Sequence, residues 1–157
     1  MKKLLLIFLL LSAKANALTF GTGFIHTKSK LVSSQEYKPS LTVGESWNYK
    51  KFNVAVNTNR LAVRSNNIEL KNGLKLKQKT RYDALHIGYR IKRFIPALFI
   101  ANAQVEKKFL NQKTTNNLLI YGASLNCLIT KNLYFGFGGT TKNEEGQSFF
   151  TSITYKL

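Results

Sequence analysis

From Leu18 to Leu157 the chain alternates between apolar and polar residues, and no stretch carries a helical period. Side chains on a strand point to opposite faces at each step, so this period-two pattern marks strands with one wet and one apolar face. Eight strands are expected, at about 18–28, 37–47, 51–64, 81–92, 96–107, 117–129, 132–141 and 147–157. The connections are unequal in a regular way. Polar stretches near 29–36, 65–80, 108–116 and 142–146 are long, whereas those near 48–50, 93–95 and 130–131 are short. Long and short connections that alternate put all loops at one rim and all tight turns at the other. That is the arrangement of an up-and-down antiparallel barrel.

Sorting by parity separates two faces. The apolar face carries Leu18, Phe20 and Phe24, then Leu41, Val43 and Trp47, and at the end Phe149, Ile153 and Tyr155. The fifth strand is assigned to it through Ala97, Phe99, Ala101, Ala103 and Val105. The opposite face takes Gly21, Gly23, Gly44, Asn57, His86, Gly88, Gly122, Ser124 and Gly136, with Asn102, Gln104 and Glu106 from the fifth strand. A soluble barrel would turn the apolar face inward, whereas a membrane barrel turns it outward to lipid and keeps a polar lumen. Strand lengths near ten residues suit a tilted membrane crossing. Tyr37, Trp47, Phe52, Phe94 and Tyr155 near strand ends suit interfacial girdles. The expected fold is therefore all-β, an eight-stranded antiparallel up-and-down transmembrane barrel with a plug of polar side chains in its lumen. Within the long 65–80 connection, Asn72-Gly73 is a hairpin turn signal. Folding about that pair opposes Val56 to Tyr89 and Val54 to Ile91, so the connection is expected to be a hairpin rising above the membrane.

The first residues are an address. Met1-Lys2-Lys3 is positive, Leu4 to Leu11 is apolar, and Ala15 and Ala17 stand at signal-peptidase spacing. Residues 1–17 are read as a secretory signal peptide and residues 18–157 as the barrel. The apolar run is shorter than the roughly 20 residues a spanning helix needs. Cys127 is the one cysteine, and His26 and His86 are the two histidines, which leaves no disulfide framework, Cys-based zinc site or multi-His metal site.

The chain's end carries a resemblance. Phe149, Thr151, Ile153, Tyr155 and Leu157 share one face, with an aromatic third from last. This resembles the C-terminal β-signal of bacterial outer-membrane proteins, with Leu157 where Phe is usual. Together with the leader and eight strands, the chain resembles small OmpA/OmpX-like outer-membrane barrels. The resemblance implies an outer-membrane location and recognition of the last strand by the outer-membrane assembly machinery. Some barrels of this size modify lipid A. The deacylase family carries His and Ser two residues apart near its C-terminus, but no His follows His86 here, and His86-Ile87-Gly88 lacks the serine. The amphipathic N-terminal helix of the palmitoyltransferases is missing too. The expectation is a non-catalytic, monomeric, cofactor-free envelope protein. A lipid A-modifying enzyme and a soluble ligand-binding barrel are the alternatives.

The charge names a partner class. Lys and Arg number 24 against 7 Asp and Glu, a net charge of +17. The excess collects at the loop rim, and Lys71, Lys75, Lys77, Lys79, Arg81, Lys107 and Lys108 are the candidate binding residues for an anionic lipid or glycan, lipopolysaccharide phosphates above all. Nucleic acid is disfavoured, because export and the absence of a stacking platform among the lysines argue against it.

Overall fold

The computed structural model describes residues 17–28, 32–35, 40–60, 65–109, 112–141 and 147–157. The leader up to residue 16 lies outside the described residues, as do Lys30, Tyr37, Lys38, Arg64 and Lys142. Ten strands are present: β1 (Ala17–Lys28), β2 (Val32–Gln35), β3 (Ser40–Tyr49), β4 (Phe52–Thr58), β5 (Asn66–Leu70), β6 (Lys75–Tyr89), β7 (Phe94–Phe109), β8 (Gln112–Leu128), β9 (Leu133–Thr140) and β10 (Gln147–Lys156). Antiparallel pairing runs β6-β4-β3-β1-β10-β9-β8-β7 and closes through β6–β7, so eight strands form a barrel without an edge. The remaining two, β2 and β5, pair with each other, and β5 also pairs with the upper part of β6.

The turns at one rim are as short as the sequence demands. Two residues, Lys50-Lys51, separate the paired Tyr49 and Phe52, and Lys92-Arg93 separate Ile91 and Phe94. Lys50 and Lys92 have φ of 54° and 55°, the left-handed conformation that two-residue hairpins favour. At the opposite rim the walls differ in height. Along β6, β7 and β8 the strands run 15, 16 and 17 residues, against 7 to 12 for the other barrel strands. The barrel therefore carries one tall wall.

Three details depart from the sequence reading. The Asn72-Gly73 hairpin is present, but its loop has three residues. Gly73 sits at φ 79° after Lys71 and Asn72, and Asn67 opposes Lys77 and Glu69 opposes Lys75. A three-residue loop with glycine in the left-handed position is the next commonest hairpin form. The hairpin is also not a continuation of β4. Val56 opposes Leu85 and Val54 opposes Ile87, so the barrel register is four residues from the expected one.

At the break, Asn59 substitutes for a strand. It is 1% exposed, donates from Nδ2 to the Thr80 carbonyl at 2.9 Å and accepts at Oδ1 from the Tyr82 amide at 2.8 Å. Its side chain thus satisfies the β6 backbone between the end of β4 and the start of β5, which unpaired buried groups would otherwise leave costly.

The third departure is a reversed strand. On β7, Ile95, Ala97, Ala101, Ala103 and Val105 are buried in the lumen, whereas Leu98 (71% exposed) and Ile100 face out with Asn102, Gln104 and Glu106. The Lys92-Arg93 turn pairs odd residues of β6 with even residues of β7, and Leu85 and Ile87 already face out. The whole of β7 follows.

The molecule is apolar outside. Its buried apolar set is mostly alanine, while Phe20, Phe24, Phe52, Ile87, Leu119, Phe137, Ile153 and many like them are exposed. Burying each such side chain stabilises by roughly 1.5–3 kcal/mol. The belt as a whole thus exceeds the roughly 5–15 kcal/mol stability of a folded domain, which excludes water as its surroundings and with it the soluble barrel. At the turn rim, Phe52 and Tyr89 meet edge to face at 5.4 Å, and Lys50 and Lys51 lie over the rings of Tyr49 and Tyr89. Aromatic rings with lysines beside them are what a membrane–water boundary selects.

Candidate functional site

Strand register sorts the outer face of the tall wall into rows. Lowest is Leu85–Ile100–Tyr121, all apolar, and next is Asp83–Asn102–Leu119. Above them come Arg81–Gln104–Asn117, then Lys79–Glu106–Thr115, then Lys77–Lys108–Lys113. The belt ends where these polar rows begin. With about 3.3 Å per residue and a tilt near 40°, Arg81 stands roughly 10 Å, Lys79 roughly 15 Å and the lysine row roughly 20 Å above the last fully apolar row.

Glu106 is the counter-ion of this surface. Its Oε2 accepts from Lys113 Nζ at 3.1 Å and from Arg81 Nη1 at 3.4 Å, and Arg81 also donates to Gln104. The Lys113 hydrogen bond, helped by the charges of Lys113 and Arg81, outweighs desolvation and holds the Glu106 carboxyl below its ordinary value. Lower down, Arg60 pairs with Asp83 at 2.8 Å. The row above Glu106 has no acid. Like charges directly opposite one another across strands are destabilising, so three adjacent lysines form a surface that an external anion would relieve.

The seven candidates are not equivalent. Lys75, Lys77, Lys79, Arg81 and Lys108 share the outer face, and Lys71 lies in the exposed β5–β6 turn. Lys107 does not join them. It opposes Gln78, whose side chain is buried on the inner face, so the parity that exposes Lys108 turns Lys107 the other way. Lys113 completes the row, and the pairing of Lys108 with Lys113 across β7 and β8 is what brings it in. Lys113 is not among the residues the sequence assigns to the site, because 108–116 reads as a loop, whereas β7 and β8 extend through most of it.

Inside, the lumen is only half polar. Phe99 lies over Gly122 and Phe150 over Gly138, where a Cβ would overlap their rings. The two rings meet edge to face at 5.6 Å, and His86 stacks on Phe99 at 5.1 Å. On the other side Gly44 and Gly136 make room for Asn57 and Asn126. The expected polar plug is corrected accordingly. Glu106 is outside the barrel, because β7 is reversed, and aromatic rings with alanines replace amides along β6 and β7. Among the described residues no group of His, Cys, Asp and Glu side chains is placed to hold a metal ion.

A closed eight-stranded antiparallel barrel with an apolar belt outside is the architecture of small bacterial outer-membrane barrels. Two solved structures share it. Ail, the attachment invasion locus protein of Yersinia pestis, solved with the heparin analogue sucrose octasulfate, superposes with a TM-score of 0.60 at 11% identity, covering 90% of this chain and 97% of that one. Neisserial surface protein A superposes with a TM-score of 0.57 at 9% identity, covering 90% and 95%. At such identity the likeness is one of fold. No family model and no curated protein matches the sequence.

Proposed function

We propose that the chain is a non-catalytic bacterial outer-membrane barrel, exported by residues 1–17, whose tall wall binds the phosphates of lipopolysaccharide. The observation that carries this is the row Lys77–Lys108–Lys113, stacked over Lys79 and Arg81 on the outer face directly above the apolar belt. Height selects the ligand. A head-group layer adds roughly 5–8 Å to each side of a hydrocarbon core, so ordinary phospholipid phosphates reach toward Arg81 but not the lysine row. A glycolipid with phosphates on its sugars extends up the wall. The complex of Ail with a sulfated sugar analogue shows that a barrel of this fold can accept a polyanionic glycan. Against catalysis stands His86, whose neighbour is the Phe99 ring. The strand β10 matches the assembly signal in its outward Phe149, Ile153 and Tyr155, and we assign it that partner. The protein works as a monomer, since the eight barrel strands close on one another and leave no barrel edge to pair.

The test is flotation binding of the folded barrel to lipopolysaccharide-containing vesicles, against vesicles of phosphatidylcholine alone. At about 1 kcal/mol per cation, replacing Lys77, Lys108 and Lys113 with Gln should weaken the lipopolysaccharide-dependent part on the order of 100-fold, while Lys107→Gln should leave it unchanged. Equal loss from Lys107→Gln, or no loss from the triple variant, would remove the wall from the account.

A further inference from the structure

The barrel encloses a cavity of about 200 Å³. Ala101, Leu118 and Ile120 line it on the tall-wall side, and Thr42, Asn57 and Ser152 line it opposite. No described lining residue is Lys, Arg, Asp or Glu, although the chain carries a net charge of +17. An ion would enter without a counter-charge and lose its hydration. Water would satisfy the polar side and leave the apolar one in poor contact. A ligand with one polar and one apolar side satisfies both.

The polar side offers a hydroxyl at Ser152, which can donate to a carbonyl or hydroxyl oxygen and accept from a hydroxyl.

We propose that the lumen binds a small neutral amphiphile, an alkyl chain or ring carrying a hydroxyl or carbonyl oxygen. The oxygen would meet the Ser152 hydroxyl, and the hydrocarbon would lie against Ala101, Leu118 and Ile120. A cavity of about 150 Å³ holds benzene, so this one suits a ligand on the order of ten non-hydrogen atoms. The lining reaches the loop end of the barrel at Gln78, Val105 and Ser148, which gives the ligand a route along the lumen axis.

Alternation of faces supplies the test. The full chain, folded into phosphatidylcholine vesicles, is photolabelled with an octanol bearing a diazirine, and adducts are mapped by mass spectrometry. Leu118 and Ile120 face the lumen, while Leu119 and Tyr121, one residue away, face lipid. Labelling of Leu118 and Ile120 should saturate and be displaced by unlabelled octanol, while labelling of Leu119 and Tyr121 should not saturate. Ser152→Ala should weaken displacement about tenfold, the loss expected of one hydrogen bond, and Ala101→Phe should abolish lumen labelling by filling the space. Labelling confined to Leu119 and Tyr121, or unsaturable labelling at Leu118 and Ile120, would overturn the proposal. Heat-modifiable gel migration reports whether each variant is folded. Should Ala101→Phe fail to fold, the unaltered chain and Ser152→Ala decide. None of these readouts depends on anion binding at the outer wall.

Discussion

The short wall and the tall wall obey one alternation in two environments. On β1, β3, β9 and β10 the large apolar residues face out along most of the strand, as with Phe20, Leu41, Phe137 and Ile153. On β7 and β8 the lower halves do the same, but above Ile100 and Tyr121 the pattern changes meaning. Asn102, Gln104 and Glu106 face out while Ala103 and Val105 face in. The outside of a barrel is lipid at one height and water at another. Alternation marks two faces, but the surroundings at each height decide which face is apolar.

The comparison is broken most forcefully in the lumen, where the walls meet. A Cβ on Gly122 would overlap the Phe99 ring and the Gly139 carbonyl, and backbone cannot rotate away. Gly122→Val should therefore cost at least about 1–3 kcal/mol, as overpacking does, and prevent stable closure. Urea titration followed by heat-modifiable migration should show a lowered midpoint or no folded band. Gly73→Ala, where a Cβ meets nothing, should cost much less and act only through its φ of 79°. A Gly122→Val barrel as stable as the parent would show that the lumen is loosely filled.

The tall wall can be loosened alone. Asn59→Ala removes the acceptor for the Tyr82 amide and the donor to the Thr80 carbonyl. Leaving buried backbone groups unmet costs about 1–3 kcal/mol. Amide hydrogen exchange should accelerate at Tyr82 and its neighbours on upper β6, while amides of β9 and β10 keep their protection. Uniform acceleration through the whole barrel would mean that the walls unfold as one unit.

These two sites show how much was legible. Barrel class, strand count, the alternation of loops and turns, and the outward faces of β1, β3 and β10 follow from period two and from turn chemistry. The orientation of β7 did not. Its lower half, Phe94 to Ala101, is apolar at almost every position, so parity there is undefined. Its upper half alternates cleanly, but on the wet side of the belt, where outward means polar. The role of Asn59 was hidden for a different reason. It falls inside the strand expected at 51–64, and only the register shows that β4 ends at Thr58 and that Asn59 bridges β4 and β5 along β6. Of the binding residues, the five on one face of β6 and β7 were readable as a basic run. That Lys107 turns inward and Lys113 joins the row depends on where the strands end.

The gentlest perturbation is the removal of one charge. Glu106 is paired with Lys113 and Arg81, but ion pairs on a wet surface contribute little to stability, so Glu106→Gln should barely move the urea midpoint. Its effect belongs to binding instead, because it removes the acid between Arg81 below and the lysine row above. A sulfated sugar, charged at all pH values used, should bind the Gln variant a few-fold more tightly at neutral pH, about what one added unit of net charge contributes at a surface. The sign with pH follows from the depressed carboxyl. Its pairing is fully present above the ordinary value of 4.5 and is lost only as pH falls through the lower folded value. Affinity of the parent for the sulfated sugar should therefore stay level from neutrality to that ordinary value, then rise below it. The Gln variant should start high and show a smaller rise. If parent and variant rise together and by the same amount, Glu106 is not the counter-ion that tempers the wall.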